Sequence, residues 1–309
     1  MSSELRVIGA EELRARLPME AAVDALEEAF RTLDPGGGPL RTHVETPAGT
    51  LLLMPAFGET GLGVKLVSLT PANPDRGLPF IHASYVLFDA ETQAPEAVLD
   101  GSALTALRTA AVSGLATRLL SRVDAHRLVL FGAGVQARAH LEAMCAVRPV
   151  TDLTVVSRSA GPAEALVAEG RERGLTARPG EANAVGEADL LCTCTTAAAP
   201  LFDGSTLSSG AHVNAIGSYL PETREVDSET VRRAKVVVES RDVALAEAGD
   251  LLIPIREGVV QAGHIVADLA ETVRGVDVRR SSEDVTLFKS VGMAFEDLVV
   301  ARAAVDAGR

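Results

Sequence analysis

The chain is short of basic residues, with 29 Lys+Arg against 42 Asp+Glu and a formal net charge of -13 over 309 residues. That balance repels phosphate backbones and anionic bilayers, so neither nucleic acid nor a membrane surface is expected as a partner, although local basic sites are not excluded. No segment approaches the ~20 apolar residues a membrane helix needs. Met1 to Ile8 carry Glu4 and Arg6 in place of a long apolar core. No signal peptide is expected, and the protein is expected to be cytoplasmic. Cysteine is scarce, at 3 residues. Cys192 and Cys194 share one face of an extended run and Cys145 lies on a helical one; with no second Cys/His pair to match the C-x-C, packing explains all three better than zinc or a disulfide. No His/Asp/Glu grouping has metal spacing, so no metal is expected. None of the 6 histidines is required for chemistry; His82, opening a strand after a loop at Asn73, is the one placed to approach a site. No internal repeat or low-complexity tract is present.

What the chain does have is Arg127-Leu128-Val129-Leu130-Phe131-Gly132-Ala133-Gly134-Val135-Gln136-Ala137. The apolar run suits a buried strand, and Val135, Leu141, Met144 and Cys145 then recur at helical spacing. In a strand-turn-helix of this kind Gly132 permits the tight turn and Gly134 lets backbone approach a pyrophosphate. Ala137, at the third glycine's position, is small enough for the helix to pack on the strand. The helix N-terminus would offer unpaired N–H groups to the phosphates.

Before that motif, residues 11 to 33 read as a helix, with Pro18 suited to a first turn, ended by Pro35-Gly36-Gly37-Gly38-Pro39. Short extended segments follow at 40–46, 50–54, 62–69, 82–89 and 96–99, an antiparallel sheet with Pro47-Ala48-Gly49 as one hairpin turn. A longer loop over 71–79 carries Asn73, Asp75 and Arg76 and is a reasonable place for binding. Helical periodicity resumes over 102–120. From Leu128 strands and helices alternate, which specifies a parallel sheet covered on both faces. The expected architecture is α/β: a Rossmann-type doubly wound parallel sheet over 121–290, beside an α+β dimerisation and substrate domain with an antiparallel sheet over 1–120 and 291–309.

An acidic residue commonly ends the second Rossmann strand and binds the ribose hydroxyls. Here the corresponding stretch is Ser157-Arg158-Ser159. An Arg flanked by two hydroxyls suits a 2′-phosphate through charge-assisted hydrogen bonds, so NADP(H) is expected in preference to NAD(H).

Several stretches, in order and across nearly the whole chain, resemble the ornithine cyclodeaminase/mu-crystallin family: Gly49-Thr50-Leu51-Leu52-Leu53-Met54-Pro55, Gly63-Val64-Lys65-Leu66-Val67, Asn73 with Arg76-Gly77-Leu78-Pro79, Leu104-Thr105-Ala106-Leu107-Arg108-Thr109-Ala110-Ala111, the glycine turn, and Asp284-Val285-Thr286-Leu287-Phe288-Lys289-Ser290-Val291-Gly292. The resemblance implies a homodimer, and it implies that Arg41, Lys65 and Arg108 hold a small amino or imino acid against the nicotinamide. It also implies that Thr109, Val135 and Gln136, with Lys289 and Ser290, contact the cofactor. On the residues alone, Lys65 sits between Val64 and Leu66 in a strand-like run. Arg108 sits mid-helix among Ala, Thr and Leu. Such charges are costly to bury unpaired, and either a bound carboxylate or an internal ion pair supplies the partner.

The chain also departs from part of that family. Cyclodeaminases and the related archaeal alanine dehydrogenases carry an acid in a segment of the form I-G-A-D-x-P, assigned to proton transfer. Here Ile216-Gly217-Ser218-Tyr219-Leu220-Pro221 puts Tyr219 at that position. A phenol with a reference pKa near ~10 is a poor base at neutral pH. The Gly-Ser-Tyr-x-Pro-x-x-Arg-Glu form resembles the ketimine-reductase branch, which implies NADPH-dependent reduction of a small cyclic imino acid such as Δ1-pyrroline-2-carboxylate or Δ1-piperideine-2-carboxylate. The imine nitrogen then needs a proton from Lys65, from Tyr219 or from water. Two alternatives stand beside it: an ornithine cyclodeaminase-like lyase using NAD catalytically, and a mu-crystallin-like NADPH-binding protein with little catalysis.

Overall fold

The computed structural model describes residues 5–33, 35, 39, 41–58 and 60–308. It divides into two compact units, Met1–Thr109 with Met293–Arg309, and Ala110–Gly292. Gly36, Gly37 and Gly38 of the helix-ending turn, Leu40 of the first extended segment, and Met1 to Glu4 lie outside the described residues.

The first unit contains β1 (Arg6–Ile8), α1 (Ala10–Arg16), α2 (Met19–Thr32), β2 (Thr42–Thr46), β3 (Gly49–Gly58), β4 (Gly61–Leu69), β5 (Ile81–Phe88) and β6 (Pro95–Asp100), and enters α3 (Gly101–Leu120). The single helix expected over 11–33 is two helices. Pro18 disfavours helical backbone at Leu17, so α1 stops there and Pro18 caps α2. The sheet order is β1-β6-β5-β4-β3-β2. Every pairing is antiparallel except β1 with β6. Pro47 and Ala48 join β2 to β3, as the turn residues require. Alternation along β3, β4 and β5 sends Leu52, Met54, Lys65, Val67, Tyr85 and Leu87 to a buried face.

The second unit takes the rest of α3 and then β7 (Arg127–Phe131), α4 (Val135–Val147), β8 (Asp152–Val156), α5 (Ala160–Glu172), β9 (Thr176–Pro179), β10 (Leu190–Thr193), β11 (His212–Ala215), α6 (Ser228–Arg233), β12 (Lys235–Val238), α7 (Arg241–Glu247), α8 (Gly249–Arg256), β13 (Ile265–Asp268), α9 (Leu269–Val273) and β14 (Thr286–Lys289). The last helix, α10 (Ala294–Asp306), belongs to the first unit, where it packs on β3, β4, β5 and α2. The division thus falls inside α3, between Thr109 and Ala110, and again between Gly292 and Met293.

All pairings in the second sheet are parallel, in the order β13-β12-β14-β11-β10-β7-β8-β9. Central strands bury both faces and read as apolar runs, and they are the ones the sequence reveals. The edge strands β9 and β13 each keep exposed residues and have no such signal. Strand order reverses direction between β7 and β10. In open α/β sheets ligands bind outside the carboxyl ends of the strands at such a switch point. His140 and His212 are buried in this unit and bonded to Gln136 O and Ser113, and to Thr286 and Asn214. Burial lowers them to about 4 and about 3, so both are neutral structural residues. The three cysteines are free. Among the described residues no helix is long and apolar enough to cross a membrane, and no group of three or more His, Cys, Asp or Glu could hold a metal.

Candidate active site

In the first unit the site is built where β4, α3 and α10 meet. Period-two geometry gives Lys65 the inner face of β4 with Gly61, Gly63 and Val67, and its side chain is 2% exposed. Its Nζ lies 2.9 Å from Asp297 Oδ1 and 2.8 Å from Oδ2. Arg108, on α3, donates through Nε to Asp297 Oδ1 at 3.0 Å and through Nη1 to Glu296 Oε2 at 2.9 Å. The internal ion pair that the sequence left open is therefore present, with one carboxylate shared between two cations. Isolated charges this deep would be prohibitively costly, and the pairing is what keeps them ionised.

The balance at Lys65 is close. Burial and the neighbouring Arg108 charge lower its pKa from 10.5 to about 8, with a further lowering from Arg41, while the charge and hydrogen bond of Asp297 oppose them. An ammonium poised there can release a proton near neutrality, which an arginine cannot. Arg41 is half-buried ahead of β2, and its charge is felt at Lys65. Tyr85 stands opposite Lys65 in the β4–β5 register. Its phenol is fully buried and burial pushes its pKa well up. Gly63 makes room for that ring: an added Cβ would come within 2.1 Å of the Tyr85 hydroxyl. Thr109 follows Arg108 and is buried.

Other expected positions have structural duties. Asn73 is buried, its side chain donates to Pro79 O at 3.0 Å and its carbonyl accepts from Arg76 and Leu78, so it closes the 70–80 loop; Asp75 and Arg76 are exposed. His82 alternates onto the face of β5 opposite Tyr85, away from Lys65.

In the second unit the glycine turn has the form a dinucleotide requires. Gly132 has φ +103° and donates to Val156 O at 2.8 Å, and an added Cβ would meet Cys194 O at 2.5 Å. Only glycine fits there. Gly134 is different: nothing lies within 4 Å of an added Cβ, and as the N-cap of α4 it leaves the helix without a side-chain cap. Open space over uncapped N–H groups, with Val135 exposed and Ala137 buried against the strand, fits a pyrophosphate. At the end of β8, Ser157 is half-buried while Arg158 and Ser159 are exposed, and Ser159 caps α5 without a side-chain bond. Gln136 stands in the first turn of α4.

The carboxyl ends of β10, β11 and β14 are tied by buried acids whose role the sequence did not reveal. Glu225 accepts from Thr193, from Thr195 N and Oγ1, and from Gly217 N, all at 2.6–2.7 Å. Asp250 accepts from Glu225 N and Val226 N and lies 2.9 Å from Lys289 Nζ. Lys289 also donates to Ala215 O and Ser218 O. Fully buried and so engaged, its ammonium holds the backbone that leads to Tyr219. Ser290 donates to Glu239, which also accepts from the N–H groups of Val291 and Gly292. Tyr219 is half-buried against the apolar core of the parallel sheet. Glu296 and Asp297 were equally hidden, although two acids inside the apolar run from Met293 to Val300 were the available signal.

The family model of the ornithine cyclodeaminase/mu-crystallin family matches residues 4–308. A Delta(1)-pyrroline-2-carboxylate reductase of Bacillus cereus is 39% identical over 311 residues, covering 96% of this chain and 94% of the relative. The ketimine reductase mu-crystallin of Mus musculus is 36% identical over 298 residues, covering 94% and 90%. The solved structure of the Thermococcus litoralis Delta(1)-pyrroline-2-carboxylate reductase, in complex with NADH and L-proline, superposes with a TM-score of 0.93 at 39% identity, covering 98% of this chain and 97% of that one. With a match along nearly its whole length, the chain belongs to the ornithine cyclodeaminase/mu-crystallin family.

Proposed function

We propose that the protein is an NAD(P)H-dependent reductase of small cyclic imino acids, converting the ketimine to the corresponding amino acid, with NADPH preferred. The buried Lys65–Asp297–Arg108 cluster carries this reading, because it sets a titratable ammonium beside a bidentate carboxylate binder. The identity to reductases of pyrroline-2-carboxylate supports it. Tyr219 in place of an acid disfavours cyclodeamination, which needs a base. Gly132, Gly134, Val135, Gln136 and Thr109 would hold the dinucleotide, with Ser157, Arg158 and Ser159 at the adenosine end and Ser290 at the other. When bound, the reduced nicotinamide supplies a hydride to C2 of the C=N bond.

The chain's own residues do the rest. Arg41 and Arg108 bind and orient the substrate carboxylate. Lys65 adds its charge to that grip and gives a proton to the imine nitrogen as the C=N electron pair moves onto it, so that hydride and proton together make the amine. Tyr219 is the second proton source the sequence offers. The preference for NADPH rests on Arg158, since the Thermococcus litoralis reductase is held with NADH.

The outward face of the first unit's sheet, with Leu53, Pro55, Leu62, Val64, Leu66 and Val86 in adjacent register, supports a homodimer in which a second copy covers it.

The deciding measurement is oxidation of NADPH and NADH against a panel of cyclic and linear imino acids, with Lys65→Ala beside the wild type. Reduction of cyclic imines that vanishes in Lys65→Ala, with NADPH binding retained, is the expected result. Reductase activity surviving in Lys65→Ala overturns the assignment of Lys65. Proline and ammonia from ornithine with no net NADH would mean a cyclodeaminase instead.

A further inference from the structure

Lysine is almost absent from this chain: of 29 Lys+Arg, only positions 65, 235 and 289 are lysine. Lys235 is exposed, whereas Lys65 and Lys289 are buried. Nearly all of the chain's other positive charge is arginine, which stays protonated at all accessible pH, so the two buried lysines raise the question of why an ammonium is needed there. At Lys289 the need is geometric, since its donors reach Ala215 O, Ser218 O and Asp250. Lys65 is arranged otherwise. Its partner among the described residues is the single carboxylate of Asp297, so at least one of its three N–H groups points to no acceptor among the described residues.

We propose that Asp297 is the positioning residue of the reaction, its carboxylate aiming the Lys65 ammonium and holding the proton on it, so that helix α10 sets the pH above which imine reduction stops. This rests on the reading of Lys65 as proton donor. Each turnover moves one proton from Nζ to the imine nitrogen, and solvent restores it.

The surroundings single out Asp297. From α3 comes the charge of Arg108 and from the segment before β2 that of Arg41, both working with burial to strip the proton from Lys65. From β5 comes Tyr85, whose burial keeps its own proton in place. From α10 come Glu296, which is engaged with Arg108 Nη1, and Asp297, whose charge and hydrogen bond favour the ammonium. Asp297 also receives Arg108 Nε on the oxygen it offers to Lys65, which fixes the carboxylate in place.

Labelling with 13C-lysine and 13C-aspartate gives only three lysine Cε signals to follow against pH, with the Asp297 carboxylate carbon beside them, in the full-length protein and without substrate. In the wild type the Lys65 Cε signal is expected to titrate near 8, accompanied at the same midpoint by the Asp297 carboxylate carbon. In Asp297→Asn the Lys65 midpoint is expected to fall to about 7 or below, since a lost neighbouring opposite charge moves a pKa by roughly one unit or more. The alkaline limb of kcat/KM for a cyclic imine should move with it, and activity lost at pH 8 should return to within a few-fold at pH 6. An unmoved Lys65 midpoint in Asp297→Asn, or in the wild type an Asp297 carbon blind to the Lys65 titration, overturns the proposal; the second holds even if the variant does not fold. Coupled titration in a protein that reduces no imine would instead overturn the proposed function and leave the Lys65–Asp297 coupling standing.

Discussion

Arg158 lies two residues past the end of β8, exposed between the serines Ser157 and Ser159. A charge-assisted bond to a 2′-phosphate contributes ~1.5–3 kcal/mol, so Arg158→Ser is expected to raise KM for NADPH about ten- to a hundredfold. KM for NADH should stay within about twofold. Side-by-side kinetics with the two cofactors check it, and an equal loss for both would remove Arg158 from the choice. In the proposed mechanism the protonated form of Lys65 is the active one, and its fraction falls as pH rises through about 8. The kcat/KM profile of the wild type is therefore expected to be level at pH about one unit and more below that pKa and to decline through pH 8, a limb absent from whatever residual rate Lys65→Met retains. Lys65 was legible because a charge in an apolar strand stands out. Asp297 was not, because an acid near the start of a helix is equally well explained by the helix dipole. Which explanation holds depends on what packs over that first turn.

The strand-turn-helix of β7 and α4 shows how two glycines of one motif are kept for different reasons. Gly132→Ala forces a side chain onto a backbone with φ +103° and against Cys194 O. Loss of stability of ~1–3 kcal/mol is expected, read by denaturant unfolding. Gly134→Ala meets nothing, so its unfolding midpoint should match the wild type. Its methyl group would stand where the pyrophosphate approaches, and NAD(P)H affinity by fluorescence titration is expected to fall tenfold or more. If Gly134→Ala binds normally, the phosphates do not cross that turn. Central strands were legible from their apolar runs. The edge strands, the break between α1 and α2, and the three acids at the strand ends were not, since each is a response to neighbours distant in the chain.

For the whole molecule the question is what covers the outward face of β3, β4 and β5. Leu53 pairs with Leu66, Pro55 with Val64 and Val64 with Val86, an apolar stripe across three strands. Native mass and light scattering are expected to report a dimer, and Val64→Arg, which buries a charge at the centre of the stripe, to yield monomers. A wild type that stays monomeric at working concentration would leave the stripe without a second copy to cover it.

The order of residues along the chain was enough to determine the class of the central elements, the alternation that makes a parallel sheet, the glycine turn, and the presence of Lys65 and Arg108 as charges out of place. These are local patterns, with periods of two or 3.6 residues or a fixed motif spacing. Tertiary structure alone decided which acids meet those charges. Asp297 is 232 positions from Lys65, and no local period connects them. Only the return of α10 to the first unit puts one carboxylate between an ammonium and a guanidinium, where burial brings the ammonium within reach of proton transfer.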